Sequence, residues 1–364
     1  MRIAFNAGFW GDRCNGTASV AEGFARCLAS LGHELVLYSP RNHYSDLPQI
    51  KWRPTPASLS FGDSGHANVG RFAWTQTALP YRLRGEGADF LLSPSIEGPI
   101  RAPIPQVVTV LDLIPLFYKK ECPRLYLYYR TVLPLLLKRA VRVLAISEDA
   151  KKTIVEYYRI PHQKIFVVYP ALRREYFERP ARSTEYGASW SPFFLFVGSF
   201  AKRKNLDTVI RAFAKVHESI NERLLVVAHP EPRMKDMIQL ASELGVAEKV
   251  EFVSGLGVEQ LASLYRRATA LVLLSQYEGF GYPPLEAMAC GTPAIVSDCS
   301  SLPEVVGESA LRLKPNDVDG AGVAMVSLSK DPGLRAALAA EAKKRAEFFC
   351  WERTKQQLSA ALSY

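Results

Sequence analysis

Two glutamates separated by seven residues carry the strongest chemical signal in this chain, in the stretch Glu278-Gly-Phe-Gly-Tyr-Pro-Pro-Leu-Glu286. Carboxylates that accept hydrogen bonds from neighbouring hydroxyls are suited to gripping a sugar. Gly279 and Gly281 free the backbone to approach a ligand closely. Pro283 and Pro284 suit the first turn of a helix, where a missing N–H costs nothing. That spacing predicts Glu286 in the first helical turn and Glu278 on the loop before it, both facing one cleft. Either glutamate alone reads as an ordinary acid near a helix N-terminus. The full pattern between two apolar runs argues for more.

Those runs are the elements that must position the pair. Ala270 to Ser275 and Ala294 to Ser297 read as buried parallel strands, and Ala287 to Gly291 as a short helix ended by glycine. This is a βαβ unit whose loop lies at the carboxyl end of a strand, where open α/β sheets bind ligands. A second loop of the same kind follows the apolar run Phe193 to Val197. It carries Lys202, Arg203 and Lys204 just before a helix that Asn205 is expected to cap. Unpaired N–H groups and the helix dipole favour an anion there. Arg grips phosphate bidentately and Lys as a point charge. A solvated basic loop is the plain alternative.

The whole chain reads as alternating strands and helices in two series. Strands are expected at Ile3–Phe5, Leu35–Tyr38, Phe90–Leu92, Val107–Val110, Val143–Ile146 and Ile165–Tyr169, then from Phe193 onward. Ser39 to Asn68 reads as a long connection, Arg124 to Arg139 as a helix, and Arg173 to Trp190 as a linker. With 364 residues, 48% of them hydrophobic, two domains of ordinary size are expected. The formal net charge of +9 favours anionic partners without choosing among them. The six cysteines are scattered without a CxxC, which reads as reduced thiols and no zinc site. The start of the chain lacks a signal-peptide layout and no apolar run reaches 18 residues, so a cytoplasmic protein without a membrane span is expected.

The Glu278–Glu286 segment, with Ala287-Met-Ala-Cys-Gly-Thr-Pro293 and Ser300-Ser-Leu-Pro-Glu-Val-Val-Gly307, resembles the E-x7-E signature of retaining glycosyltransferases of the GT4 family. The resemblance implies the α/β GT-B fold, two Rossmann-like domains with parallel sheets facing a cleft. It places an acceptor-side domain at 1–180, a nucleotide-sugar domain at 181–345, and a terminal helix at 346–364 crossing back to the first. It implies that Glu286 holds the ribose, that Glu278, Gly279 and the backbone at Phe280 and Gly281 hold the transferred sugar, and that Arg203 and Lys204 hold the diphosphate. Arg203, Lys204 and Asn205 match the Pro-Arg-Lys-Asn form of the phosphate loop, whereas Ser199 stands where the Gly-Arg form has Arg, so no diphosphate role goes to it. The loop from Gly255 to Val258 is expected to hold the base through its backbone. Cations would then stabilise the departing diphosphate, so no metal is required. Glu278 as a nucleophile stays open.

The first half departs from the family. Many relatives carry a His-Asp pair after a strand, whereas Leu111 and Asp112 stand here. Asp112 is a candidate for acceptor binding or deprotonation, or else a turn cap. The loop from Gly11 to Thr17 has the composition of a Gly-rich loop near the donor, with Gly16 and Thr17 the selected residues, or it is a plain strand-to-helix connection. Leu125 to Arg139 mixes Tyr, Leu and cations; a core helix is favoured, and peripheral membrane binding is permitted. The reading is a retaining, metal-independent hexosyltransferase, with mannose from GDP-mannose first. Its partners are the nucleotide sugar and a carbohydrate or lipid-linked saccharide acceptor, with no nucleic acid and no cofactor. A nucleotide-sugar epimerase of the same fold and a non-catalytic nucleotide- or sugar-binding protein are the alternatives.

Overall fold

Short apolar runs bounded by polar turns, repeated along the chain, become two parallel sheets. The computed structural model describes residues 1–10, 16–42, 44, 47–60, 65–178 and 192–363. The described residues form β1 (Arg2–Asn6), β2 (Glu34–Ser39), β3 (Ile50–Pro54), β4 (Phe90–Ser93), β5 (Gln106–Val110), β6 (Arg142–Ala145) and β7 (Ile165–Val167) in one sheet. The other contains β8 (Phe193–Val197), β9 (Arg223–Val227), β10 (Val250–Val253), β11 (Ala270–Leu273), β12 (Ala294–Ser297) and β13 (Leu311–Leu313). Their spatial orders are 3-2-1-4-5-6-7 and 10-9-8-11-12-13, with every pair parallel. Central strands such as β4, β11 and β12 are buried throughout, as expected when helices cover both faces.

Each sheet belongs to its own unit. The first unit is Met1–Ala171 with Cys350–Tyr364, and the second is Leu172–Phe349. The division therefore falls before 180, because the helix Arg174–Phe177 already packs with the second unit, where Tyr176 meets the Tyr265 ring at 6.1 Å. The other boundary falls after Phe349 rather than at 345, since Phe349 stacks edge-on against Phe280 at 5.6 Å. The terminal helix Trp351–Leu362 belongs to the first unit. Thr354 donates to the carbonyl of Tyr169 at 2.8 Å, and the Tyr169 N–H donates to Gln357 at 3.0 Å.

Two expectations about the elements need correction. The supposed connection from Ser39 to Asn68 contains β3, a single turn Ala57–Leu59 and the start of the helix Gly65–Gln76. In β3 only Ile50 is buried, so this edge strand has no alternating pattern to read. The helix expected from Arg124 to Arg139 is two helices, Pro123–Thr131 and Leu133–Arg139. Pro134 has no N–H to continue the first helix. Its buried residues Tyr129, Leu133, Leu136 and Leu137 join the core, while Leu125, Leu127 and Leu135 stay exposed. Residues 11–15 of the Gly-rich loop and 179–190 of the linker lie outside the described residues. No helix among the described residues is long and apolar enough to cross a membrane.

Candidate active site

In the second unit the connections run outward from β8 through β9 to β10, then return to β11 and run the other way. The two loops at this switch point are the basic loop after β8 and the Glu278 loop after β11. Open α/β sheets bind ligands outside the carboxyl ends of such strands. The sequence brings the loops together through backbone and amide groups. Gln276 N–H donates to the Arg203 carbonyl at 2.7 Å. Asn205 adopts a left-handed backbone at φ 58 and is buried. Its Nδ2 donates to the carbonyls of Leu274 at 2.9 Å and Pro315 at 2.6 Å. Asn205 is thus a brace between loops. It makes no side-chain cap to the helix Leu206–Val216, contrary to expectation.

That brace presents Lys202–Lys204 as one helical turn before the longer helix. Lys204 Nζ lies 2.7 Å from Glu278 Oε1, and Ser275 Oγ donates to the same oxygen at 2.7 Å. Arg203 Nη1 lies 4.0 Å from Glu278 Oε2. Burial pushes the Glu278 carboxyl up, but Lys204, then Arg203, and the hydrogen bonds from Lys204 and Ser275 outweigh it, so the group sits below the usual carboxylate range. Two cations around one carboxylate leave net positive charge. This arrangement can hold an anion and offer a carboxylate to hydroxyls in the same place.

The Gly-Phe-Gly turn is held from behind. Ser300 Oγ accepts the Glu278 N–H at 3.0 Å, and Ser301 Oγ reaches the carbonyls of Glu278 and Phe280 at 3.0 and 2.8 Å. Phe280 is buried and stacks edge-on against Tyr282 and Phe349, so its side chain anchors while its backbone lines the turn. Gly281 has φ +112, and a Cβ there would lie 2.8 Å from Leu302 Cδ2. Only glycine suits both conditions.

Glu286 is the fifth residue of the helix Tyr282–Ala289, so it lies one turn further in than the proline pair suggested. The helix begins at Tyr282, before the prolines. Tyr265 from the helix Val258–Arg267 donates to Glu286 Oε2 at 2.8 Å, and the Tyr176 hydroxyl lies beside the same carboxyl. Burial pushes Glu286 above the usual range, against the two hydroxyls and Arg173. The two glutamates of the motif therefore have opposite electrostatic settings. Val258 is the first residue of the helix that carries Tyr265, half-buried after Gly257.

Gly16, Thr17 and Asp112 belong to the first unit. Gly16 and Thr17 begin the helix Gly16–Ser30. Asp112 Oδ1 accepts the Ile114 N–H at 3.0 Å in the turn that leads into the short helix Ile114–Phe117. Sequence reasoning missed Ser275, Ser300, Ser301, Tyr176 and Tyr265 as supports of the two glutamates. The serine pair follows β12 in a strand-to-helix loop and was legible by position. The tyrosines are distant in sequence and give no local signal. Among the described residues, no group of three or more His, Cys, Asp or Glu side chains could hold a metal ion, and the described cysteines are free thiols.

Residues 14–175 match the profile described as Glycosyltransferase Family 4, and residues 185–345 the one described as Glycosyl transferases group 1. The chain is 32% identical over 212 residues to the O-antigen chain mannosyltransferase RfbU of Salmonella typhimurium, covering 58% of this chain and 57% of that protein. It is 30% identical over 232 residues to O-antigen chain mannosyltransferase B of Escherichia coli, covering 62% and 61%. The matched regions thus span about six-tenths of these relatives. Among solved structures, sucrose-phosphate synthase from Thermosynechococcus elongatus superposes with a TM-score of 0.79 at 19% identity, covering 99% of this chain and 97% of that one. WaaG, a glycosyltransferase involved in lipopolysaccharide biosynthesis, superposes with a TM-score of 0.75 at 18% identity, each chain fully covered. The fold is GT-B, and the chain belongs to the GT4-type glycosyltransferases.

Proposed function

We propose that this protein is a retaining hexosyltransferase that takes a hexose from a nucleotide sugar and attaches it to a carbohydrate or lipid-linked saccharide. The observation that carries the reading is the Lys204–Glu278–Arg203 cluster, built from two loops at the β8/β11 switch point. Arg203, Lys204 and the N-terminus of the helix Leu206–Val216 take the diphosphate. Glu278 and the backbone from Gly279 to Gly281 take hydroxyls of the transferred sugar, while Glu286 takes the ribose and the Gly255–Val258 loop the base. The bond from the anomeric carbon to the phosphate oxygen breaks as the acceptor hydroxyl attacks the same face. The departing charge falls on the two cations, which leaves no requirement for a metal. GDP-mannose is the first donor in this reading; the names of the O-antigen chain mannosyltransferase relatives support mannose as the hexose and polysaccharide assembly as the context. The +9 charge and the exposed Leu125, Leu127 and Leu135 beside Arg124 and Arg130 suit work at the cytoplasmic face of a membrane.

The test is calorimetric titration of the full chain with GDP-mannose, UDP-glucose, UDP-N-acetylglucosamine and dTDP-rhamnose under a metal chelator. Acceptor-free turnover of any bound donor is then followed by NMR. Micromolar binding of one donor and slow release of its sugar with the anomeric configuration kept is the expected result. Binding only when a divalent metal is restored would overturn the metal-independent reading. Conversion of the donor to an epimer, or no binding of any donor, would overturn the transferase.

A further inference from the structure

The first sheet has its own switch point, between β1 and β4. Beyond the carboxyl ends of these strands lies a small, partly open hollow within the first unit, lined by Arg71, Phe72, Ile96, Glu97, Gly98 and Tyr128 among others.

Glu97 is fixed from several directions. Arg71 Nε donates to both of its oxygens, at 2.8 and 2.7 Å. Asn6 at the end of β1 donates to its carbonyl at 2.6 Å, and its N–H donates to Ser95 Oγ at 3.2 Å. Arg71 is only 4% exposed and is braced by the Leu59 carbonyl at 2.9 Å and Asn68 Oδ1 at 2.7 Å. The Glu97 side chain keeps 25% of its surface accessible. A Cβ on Gly98 would stand 3.2 Å from Gln106 Oε1 and from Leu136 Cδ1, so the floor is closed to a side chain. Phe72 is 39% exposed and meets Tyr128 edge-on at 6.1 Å, while the Tyr128 hydroxyl is tied to the Ile96 carbonyl at 2.8 Å.

Each part limits the occupant. Arg71 cancels the charge of Glu97, so the hollow favours neither a free cation nor an anion. The carboxylate still has lone pairs for hydroxyl donors. Phe72 and Tyr128 give two perpendicular apolar walls for the C–H face of a ring. A buried Arg–Glu pair is weak support for stability, because desolvation offsets its attraction. A carboxylate held in place and left accessible is what recognition requires.

We propose that this hollow is a binding subsite for one neutral pyranose unit, with Glu97 accepting its hydroxyls and Phe72 and Tyr128 packing on its ring. The proposal rests on the glycosyltransferase reading above and assigns its acceptor saccharide to a place in the first unit. The probes are methyl α-D-mannopyranoside and methyl β-D-glucopyranoside, titrated by NMR into the full chain, with a nucleoside diphosphate as the reference ligand. Millimolar glycoside binding is expected, weakened about tenfold in Glu97→Gln, as befits a lost hydrogen bond to a charged group. It should weaken at least as much in Phe72→Ala, with diphosphate affinity kept in both variants. If Phe72→Ala lowers the melting temperature, Phe72→Leu keeps the apolar contact and removes the aromatic face, and should show the same loss. Absence of glycoside binding while the nucleotide still binds would overturn the subsite and leave the transferase reading intact. Glycoside binding that none of these variants weakens would do the same. Failure of the wild-type chain to bind any nucleotide would instead overturn the transferase reading.

Discussion

Replacing Lys204 with Met keeps the apolar stem and removes the charge nearest Glu278. Breaking a buried ion pair from one side costs about 3–5 kcal/mol. Two features reduce that figure here: Arg203 remains 4.0 Å from Oε2, and Ser275 keeps its 2.7 Å hydrogen bond to Oε1. The expected cost for Lys204→Met is therefore about 2–3 kcal/mol. In a unit of this size that lowers the melting temperature by about 5–10 °C. Glu278→Gln leaves Lys204 without its carboxylate at a site only 12% exposed, so it too should destabilise. The double variant removes both charges and should recover part of the sum. A coupling energy of about 1.5–3 kcal/mol is expected from the double-mutant cycle. Scanning calorimetry of the full chain gives stability, and titration with nucleoside diphosphate gives binding. Lys204→Met should also lose about 10- to 100-fold in diphosphate affinity, or about 1.4–2.8 kcal/mol. A coupling energy below about 0.5 kcal/mol would refute the claim that these residues form one electrostatic unit.

Glu286 should make nucleotide binding pH-dependent. Burial raises its folded pKa above the ordinary 4.5, so its contribution to stability is full below 4.5 and is lost as pH rises through the raised value. Binding runs the other way: ribose hydroxyls need the ionised acceptor, so affinity should fall as pH falls through that raised value. The ratio of wild-type to Glu286→Gln affinities, measured by calorimetry across pH, isolates this group; a flat ratio would remove Glu286 from ribose binding. Glu278 has the opposite sign. Its folded pKa is lowered, so its stabilisation is present above 4.5 and disappears as pH falls through the lowered value, which acid denaturation of Glu278→Gln against wild type will show. Asn205→Ala should cost about 3–4 kcal/mol through lost hydrogen bonds and a strained left-handed backbone, and Asn205→Gly about 1 kcal/mol less because only the backbone strain is relieved. Equal urea midpoints for the two variants would refute the strain. Gly281→Ala should cost about 1–3 kcal/mol and weaken donor binding, and adding Leu302→Ala should relieve the contact but leave the dihedral cost, as melting temperatures will report.

Much of the site was legible locally. A glycine between an acidic residue and a proline-led helix, after an apolar run, already specified a strand, a tight turn and a helix start. The three cations before Asn205 already specified a basic loop at a helix N-terminus. The helix that follows Asn205 has its buried residues Leu206, Val209, Ile210 and Phe213 at helical spacing, so its inward face could be read directly. β3 resisted because an edge strand with one buried residue has no pattern to display. The break at Pro134 was written in the chain and passed over, since the apolar run continued on both sides.

The amino-acid sequence by itself determined the alternation of strands and helices, the parallel character of the buried strands and the types of the candidate site residues. Those follow from periodicity, turn chemistry and side-chain type, which act over a few residues. Only the tertiary structure decided who touches whom. It paired Glu278 with Lys204 across the switch point, surrounded Glu286 with Tyr176 and Tyr265, and turned Asn205 from a cap into a brace. These partners are tens of residues apart in sequence, and their meeting depends on strand order. Burial and the charges nearby then push the two carboxyls in opposite directions. The same amino acid at both ends of one motif thus acquires two electrostatic settings that its spacing could not reveal.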